Sequence, residues 1–501
     1  MAISMSSSNF GMSLSQIIIG VAWLIQGDYK DRLLSIKHHK SIWVFWIIYV
    51  IHIIGCFYST DMQYAMNDLR GKVPLFIFPF LILTMPVLTK RQYHLILQFF
   101  VAGVIVSSII SFFVWLRIIP AKIRDTRDIS IFISHIRLSL MVVLAIFISS
   151  YFAFLSKYYL KKAGWTAAAI WLIIFLFILE SLTGLFIMCV ILFVLAGIQL
   201  VRSKKYIPLS LMFVLAVCTL AWSSFYFINQ MNALGNCNEN ESPPTEKYTP
   251  NGNLYQHVQS YKGCENGHRL GWYICWNELR KSWNERSKFS FDSLDNRKQP
   301  LPYTLIRYLT SKNLHKDSAG VYALSNDDLK AVEQGIANCT HVNMNGLQLR
   351  FVEIAYELNQ YKKTGNASGF SIAQRIEYNK GSWYILKNNL LFGVGTGDNK
   401  IAFENYYNTT NSKLGQKWRL RSHNQYMAIA VSFGMVGLAL FIFALLYPVI
   451  KLNAQRHFIF LVFFSISLLS FFNEDTLETQ AGITFFIFFY AVILWGYLRK
   501  V

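Results

Sequence analysis

Long apolar runs recur along this 501-residue chain, and they constrain its fold more than any other feature. A run approaching 20 residues covers the roughly 30 Å of hydrocarbon in a bilayer, so each run is a candidate spanning helix. The candidates are 12–26, 41–58, 74–89, 92–118, 131–156, 163–179, 181–200, 206–227, 424–449, 457–472 and 480–498. With 54% hydrophobic and only 15% charged residues, the composition excludes a disordered chain and an ordinary soluble domain of this length. The expectation is an all-α polytopic membrane protein with about eleven, or twelve, transmembrane helices. The 12–26 run is short and follows the polar Met5-Ser6-Ser7-Ser8-Asn9; no basic n-region of a secretory signal is present. Pro74, Pro79 and Pro86 predict a kinked or re-entrant piece over 74–89.

Composition turns polar and charged between about 228 and 422, which divides the chain into an N-terminal bundle (1–227), a large loop domain (228–422) and C-terminal spans (423–501). Basic residues mark the cytoplasmic side of a membrane protein. The connections at 27–40, 90–91, 157–162, 202–205 and 451–456 and the tail Arg499-Lys500 alternate correctly to share that side. They hold about +14 of the formal charge of +20, leaving about +7 on the large loop and about −1 on the short outer connections. Most of the surplus is therefore topological, and it does not argue for nucleic-acid binding. The large loop and the acidic connection Asn473-Glu474-Asp475-Thr476-Leu477-Glu478 face the other way, with the C-terminus cytoplasmic. Cys237, Cys264, Cys275 and Cys339 lie in the outer loop, where either two disulfides or free buried thiols fit. No Cys or His spacing suggests zinc, and no cofactor or metal is expected.

Helix signals punctuate the loop. Ser325 and Asp328 form a capping box before Leu329, an amphipathic run from Leu347 to Tyr361 ends near Gly365, and Ser371 with Gln374 opens a third helix over roughly 372–389. That helix carries Arg375 and leads into Gly393-Val394-Gly395-Thr396-Gly397. The glycines lack the strand–turn–helix setting of a dinucleotide fingerprint and predict a tight turn, whose N–H groups are free to approach a phosphate.

The loop ends in Trp418-Arg419-Leu420-Arg421-Ser422-His423-Asn424-Gln425-Tyr426 and enters an apolar span. Capping-box spacing of Ser422 and Gln425 places His423 in the first helical turn, where the helix dipole favours a neutral, proton-accepting imidazole. Arg419 and Arg421 add fixed positive charge. Such a cluster suits an anionic lipid headgroup substrate, and the same arginines would serve equally as interfacial anchors.

Taken together, the spans, the late outer loop, Arg375, the Gly393–Gly397 turn and Ser422-His423-Asn424-Gln425-Tyr426 with Gly434-Met435-Val436-Gly437 resemble the O-antigen ligase and polymerase superfamily. The specific motifs lie mainly within 371–437. The resemblance implies a GT-C-like fold and transfer of a glycan from an undecaprenyl-diphosphate carrier at the periplasmic face of a bacterial inner membrane. It implies an inverting, metal-independent glycosyltransferase, with ligase (lipid A-core acceptor) ahead of polymerase or protein O-oligosaccharyltransferase. By the same resemblance His423 activates the acceptor hydroxyl, Arg375 holds the diphosphate, and Arg137 stands at the cavity mouth. Lys72 is a weaker diphosphate candidate. Residues 227–370 depart from the compact ligase loop, which leaves the acceptor open. The rival from another class is a lipid-glycan flippase, against which the near absence of charge within the spans counts.

Overall fold

A computed structural model of the chain describes residues 1–121, 126–233, 244–258, 261, 263–344 and 346–499. Helix dominates, and the named strands among these residues are one antiparallel pair, Cys264–Glu265 with His268–Arg269. Among the described residues eight helices have the length and composition to cross a bilayer, or nine if Arg32–His38 and Lys40–Cys56 form one bent span. The all-α polytopic architecture expected from the apolar runs is the one the chain adopts. By contacts the chain forms two compact units, 1–204 with 374–501, and 205–373.

In the first unit the helices include α1 (Asn9–Gln26), α2 (Lys40–Cys56), α3 (Met62–Thr84), α4 (Lys90–Trp115), α5 (His135–Leu155), α6 (Tyr159–Ile178) and α7 (Leu182–Arg202), with the short helix Tyr29–His38 before α2. They continue with α8 (Ser371–Asn388), α9 (Asn399–Thr409), α10 (Gln425–Lys451), α11 (Phe458–Ser470) and α12 (Gln480–Ala491). Side-chain caps start several of them: Ser8 on α1, Asp61 on α3, Ser181 on α7 and Asn424 on α10 accept backbone N–H bonds, and Thr89 with Gln92 closes a capping box on α4. Residues 74–84 of the 74–89 run are the second part of the longer helix α3, whose first part carries Asp68, Arg70 and Lys72 and so breaks the apolar pattern, and 85–89 lie beyond its end. Pro74 and Pro79 sit inside it. With 13 residues, α11 covers only about 20 Å and is too short to cross alone.

Burial grades the helices. The run Gln480–Leu498 is 89% buried and forms the centre with α5, whereas most other spans turn a face outward to lipid. Between such helices lipid is as apolar as leucine, so close packing replaces the hydrophobic effect as the cohesive term. Phe460, Phe463, Phe485, Phe486, Phe489 and Tyr490 supply it through edge and stacked ring contacts.

The second unit begins with the apolar helix Tyr206–Ala233. It also contains a small helical body with its own core, including Trp283, Leu305, Tyr308, Leu309 and Val332. The Ser325–Asp328 capping box forms as expected, and Gly346–Thr364 stops before Gly365, which has φ 68°. Cys264 is disulfide-bonded, but Cys275 and Cys339 are free thiols, so the two-disulfide alternative does not hold. Cys237 lies outside the described residues.

Candidate active site

The glycine turn positions the site by plugging a broken helix. Gly434 interrupts α10 with φ 66° and ψ −169°, a conformation that glycine reaches without steric cost. Leu390 and Leu391 offer their carbonyls to the N–H groups of Met435 and Val436, at 2.8 and 3.3 Å. In return, Val394 and Gly395 donate to the carbonyls of Val431 and Ser432, at 3.0 and 2.8 Å. The approach is backbone on backbone: a Cβ on Gly434 would lie 2.2 Å from Leu391. This exchange corrects the expectation that the turn's N–H groups could cradle a phosphate. Those of Gly393, Thr396 and Gly397 are also spent, on Asn389, Gly55 and the Ser59 hydroxyl. Asp398 completes the dock by accepting bonds from the N–H groups of Thr60 and Asp61 where α3 begins.

His423 lies before the helix and outside its first turn. Asn424 takes the N-cap position, its side chain accepting from Met427 N–H, because Asn caps without help from the Ser422–Gln425 pair. Ser422 accepts instead from the N–H of Asn424, and Gln425 turns toward the acidic connection. The His423 ring packs on Tyr378 of α8 at 5.4 Å between centroids, and its Nδ1 stands 3.5 Å from an oxygen of Asp475. That distance is ionic contact without a formed hydrogen bond, and Nδ1 is otherwise buried without a partner. Burial pushes the Tyr378 hydroxyl up to about 12, so it remains a donor, to the carbonyl of Trp418 at 2.8 Å.

The acidic connection 473–478, read from the sequence only as an outer-side marker, supplies the counter-charges. Arg375 meets Glu474 at 2.9 Å. Arg421 bridges Asp475 at 3.3 Å and Glu478 at 3.2 Å, and donates to the Tyr64 hydroxyl at 3.1 Å. Lys72, buried, joins Asp68 at 2.5 Å and Glu478 at 2.8 Å. Gln425 ties the start of α10 to the same segment, donating to Glu478 and accepting from Leu477 N–H. The cations chosen from the sequence are therefore largely neutralised by one segment of chain, and the local charge is balanced rather than basic. Arg137 differs: it makes no ion pair or hydrogen bond with a described residue, and its field acts on Glu474. Arg419 is not in the cluster. Its guanidinium binds the carbonyls of Leu414 and Ser412 and the Asn408 amide oxygen, over the Tyr407 ring.

Environment splits the carboxylates. Burial raises the pKa of Glu474, and the positive charges of Arg375 and Arg137, with that of His423 when it is protonated, offset only part of that rise. Burial acts on Glu478 in the same sense, but Lys72 and Arg421 overcome it and hold the group well below the ordinary carboxylate range. Arg421 loses proton affinity to burial and regains more from Glu478, Tyr64 and Asp475, so it stays charged. Ligand atoms of His423, Glu474 and Asp475 lie within 4.8 Å of one another, close enough to share a divalent ion. Such an ion would have to draw Glu474 and Asp475 away from Arg375 and Arg421.

A polytopic helical bundle that gathers a histidine, carboxylates and arginines where its loop segments meet helix ends is the class of protein defined by this fold and site. Residues 328–442 match the family described as O-antigen ligase, in agreement with the resemblance carried by the motifs within 371–437. The matched segment contains Arg375, the glycine turn, Arg419, Arg421 and His423; Lys72, Arg137 and the acidic connection lie outside it. No curated protein matches the chain.

Proposed function

We propose that this protein transfers a glycan from an undecaprenyl-diphosphate carrier to an acceptor hydroxyl at the outer face of a bacterial inner membrane, with lipid A-core as the acceptor. The observation that carries the reading is the pairing of His423 with buried Asp475 beside the Arg375–Glu474 pair, with His423 and Arg375 both inside the segment matched by the family. Asp475 faces Nδ1 and orients the ring, which leaves Nε2 to take the acceptor proton. The acceptor oxygen then bonds to the anomeric carbon as the bond from that carbon to the diphosphate breaks, with inversion. Arg375 and Arg137 receive the negative charge of the departing lipid diphosphate, a good leaving group that needs electrostatic stabilisation more than an acid. Lys72 and Arg421 act one layer back, holding the acidic connection in place.

Purified protein supplied with lipid-linked glycan and lipid A-core tests the chemistry. His423→Ala should lose on the order of 10²–10⁴-fold in transfer rate. Near-normal transfer would remove His423 as the base. A deletion strain identifies the acceptor: full-length polymer retained on the carrier supports ligation to lipid A-core. Single repeats on lipid A-core would mean polymerisation, and lost glycoprotein bands would mean protein glycosylation. Carrier flipping in liposomes without glycan transfer would favour a flippase.

A further inference from the structure

Leu390, Leu391 and Phe392, at the tip of the turn that plugs α10, are 53%, 58% and 66% exposed. Three consecutive large apolar side chains pointing away from the protein are a fault on a water-facing loop, and on a lipid-facing one they are expected. We propose that this tip is a membrane-embedded wedge, seated against lipid acyl chains at the rim of the site.

Three observations lead there. The carbonyls at the tip are satisfied, which lowers the cost of taking this non-helical segment out of water. The carbonyls of Leu390 and Leu391 accept from Met435 and Val436, that of Phe392 accepts from the Tyr58 hydroxyl at 2.8 Å, and Gly393 N–H returns to Asn389. Depth points the same way. The break at Gly434 lies roughly 14 Å along the α10 span from its first residue, at about 1.5 Å per residue. The turn is also level with the end of α2, where Thr396 N–H meets the Gly55 carbonyl. Finally, the surface is continuous with the lipid-facing sides of the spans, since Met435 and Val436 of α10 and Phe57 beyond α2 are exposed beside it. Trp383, also exposed, stands about two turns back on α8, as an interfacial aromatic would. A wedge there fixes the depth of α8, and with it Arg375 and Tyr378, at the headgroup level. The inference holds whichever hydroxyl accepts the glycan.

A photoreactive benzoylphenylalanine at position 392 of the full-length protein, in phospholipid vesicles with labelled acyl chains, tests it. Val106 on α4 and Lys400 on α9 provide span and water-facing references. Expected is a lipid adduct at 392 in a yield close to that at 106 and several-fold above that at 400. The same probe at Leu391 guards against a local fault of one variant. A yield at both positions no higher than at 400, or adducts that run as crosslinked protein, would overturn the proposal.

Discussion

His423 and the carboxylates around it form a site in which each charge has a structural and a chemical use. Asp475 both faces His423 Nδ1 and binds Arg421, and in the proposed mechanism it orients the ring. Replacing it with Asn should lower the transfer rate on the order of 10²-fold while leaving donor KM within a few-fold, because ring orientation enters only as the proton moves. Thermal unfolding of the same variant separates that loss from a general loss of fold. In the proposed mechanism, Glu474 occupies the arginine that would hold the donor. Its raised pKa means that acidification protonates it early and releases Arg375, so donor affinity should increase as pH falls through that pKa. Glu474→Gln should give several-fold tighter donor binding at neutral pH and abolish this pH dependence; an unchanged profile would show that the pair does not gate Arg375. Glu478 has the opposite sign. Its folded pKa is depressed, so its stabilisation is complete above the ordinary value of 4.5 and is lost as pH falls below it. Melting curves of Glu478→Gln should accordingly lose part of their slope below that pH.

At the scale of elements, the break in α10 and the turn that fills it behave as one part. Gly434→Ala forces a side chain into a left-handed conformation and onto the backbone of Leu391, which should cost at least about 2 kcal/mol, read as a lower unfolding temperature in detergent. Helix existence was legible beforehand, because capping and apolar spacing are local: the Ser325–Asp328 box and the Gly346–Thr364 and Ser371–Asn388 helices lie where their residues indicate. The failure at His423 was also local. Ser422–Gln425 and Asn424 compete for the same N-terminus, and the structure chose Asn424 while sending Gln425 to a partner 53 residues away. Nothing in the glycine spacing told whether its N–H groups faced a ligand or the interior of a span.

On the scale of the whole molecule, the distribution of basic residues predicts an orientation with the large loop outside, and Cys264 in a disulfide agrees with an oxidising compartment for that loop. Alkaline phosphatase fused after Gly252 should be active, and a fluorescent protein fused to the C-terminus should mature in the cytoplasm. The reverse pair of outcomes would invert the topology and the side on which transfer occurs. By itself the sequence determined that the chain is helical and membrane-spanning and where most helices begin; both follow from composition or from residues a few positions apart. Only the tertiary structure decided that Glu474 meets Arg375 across 99 residues and that Glu478 meets Lys72 across 406. Ion pairing acts over a few ångströms of space and leaves no period along the chain, so a connection that reads as an acidic loop became the partner of nearly every cation in the site.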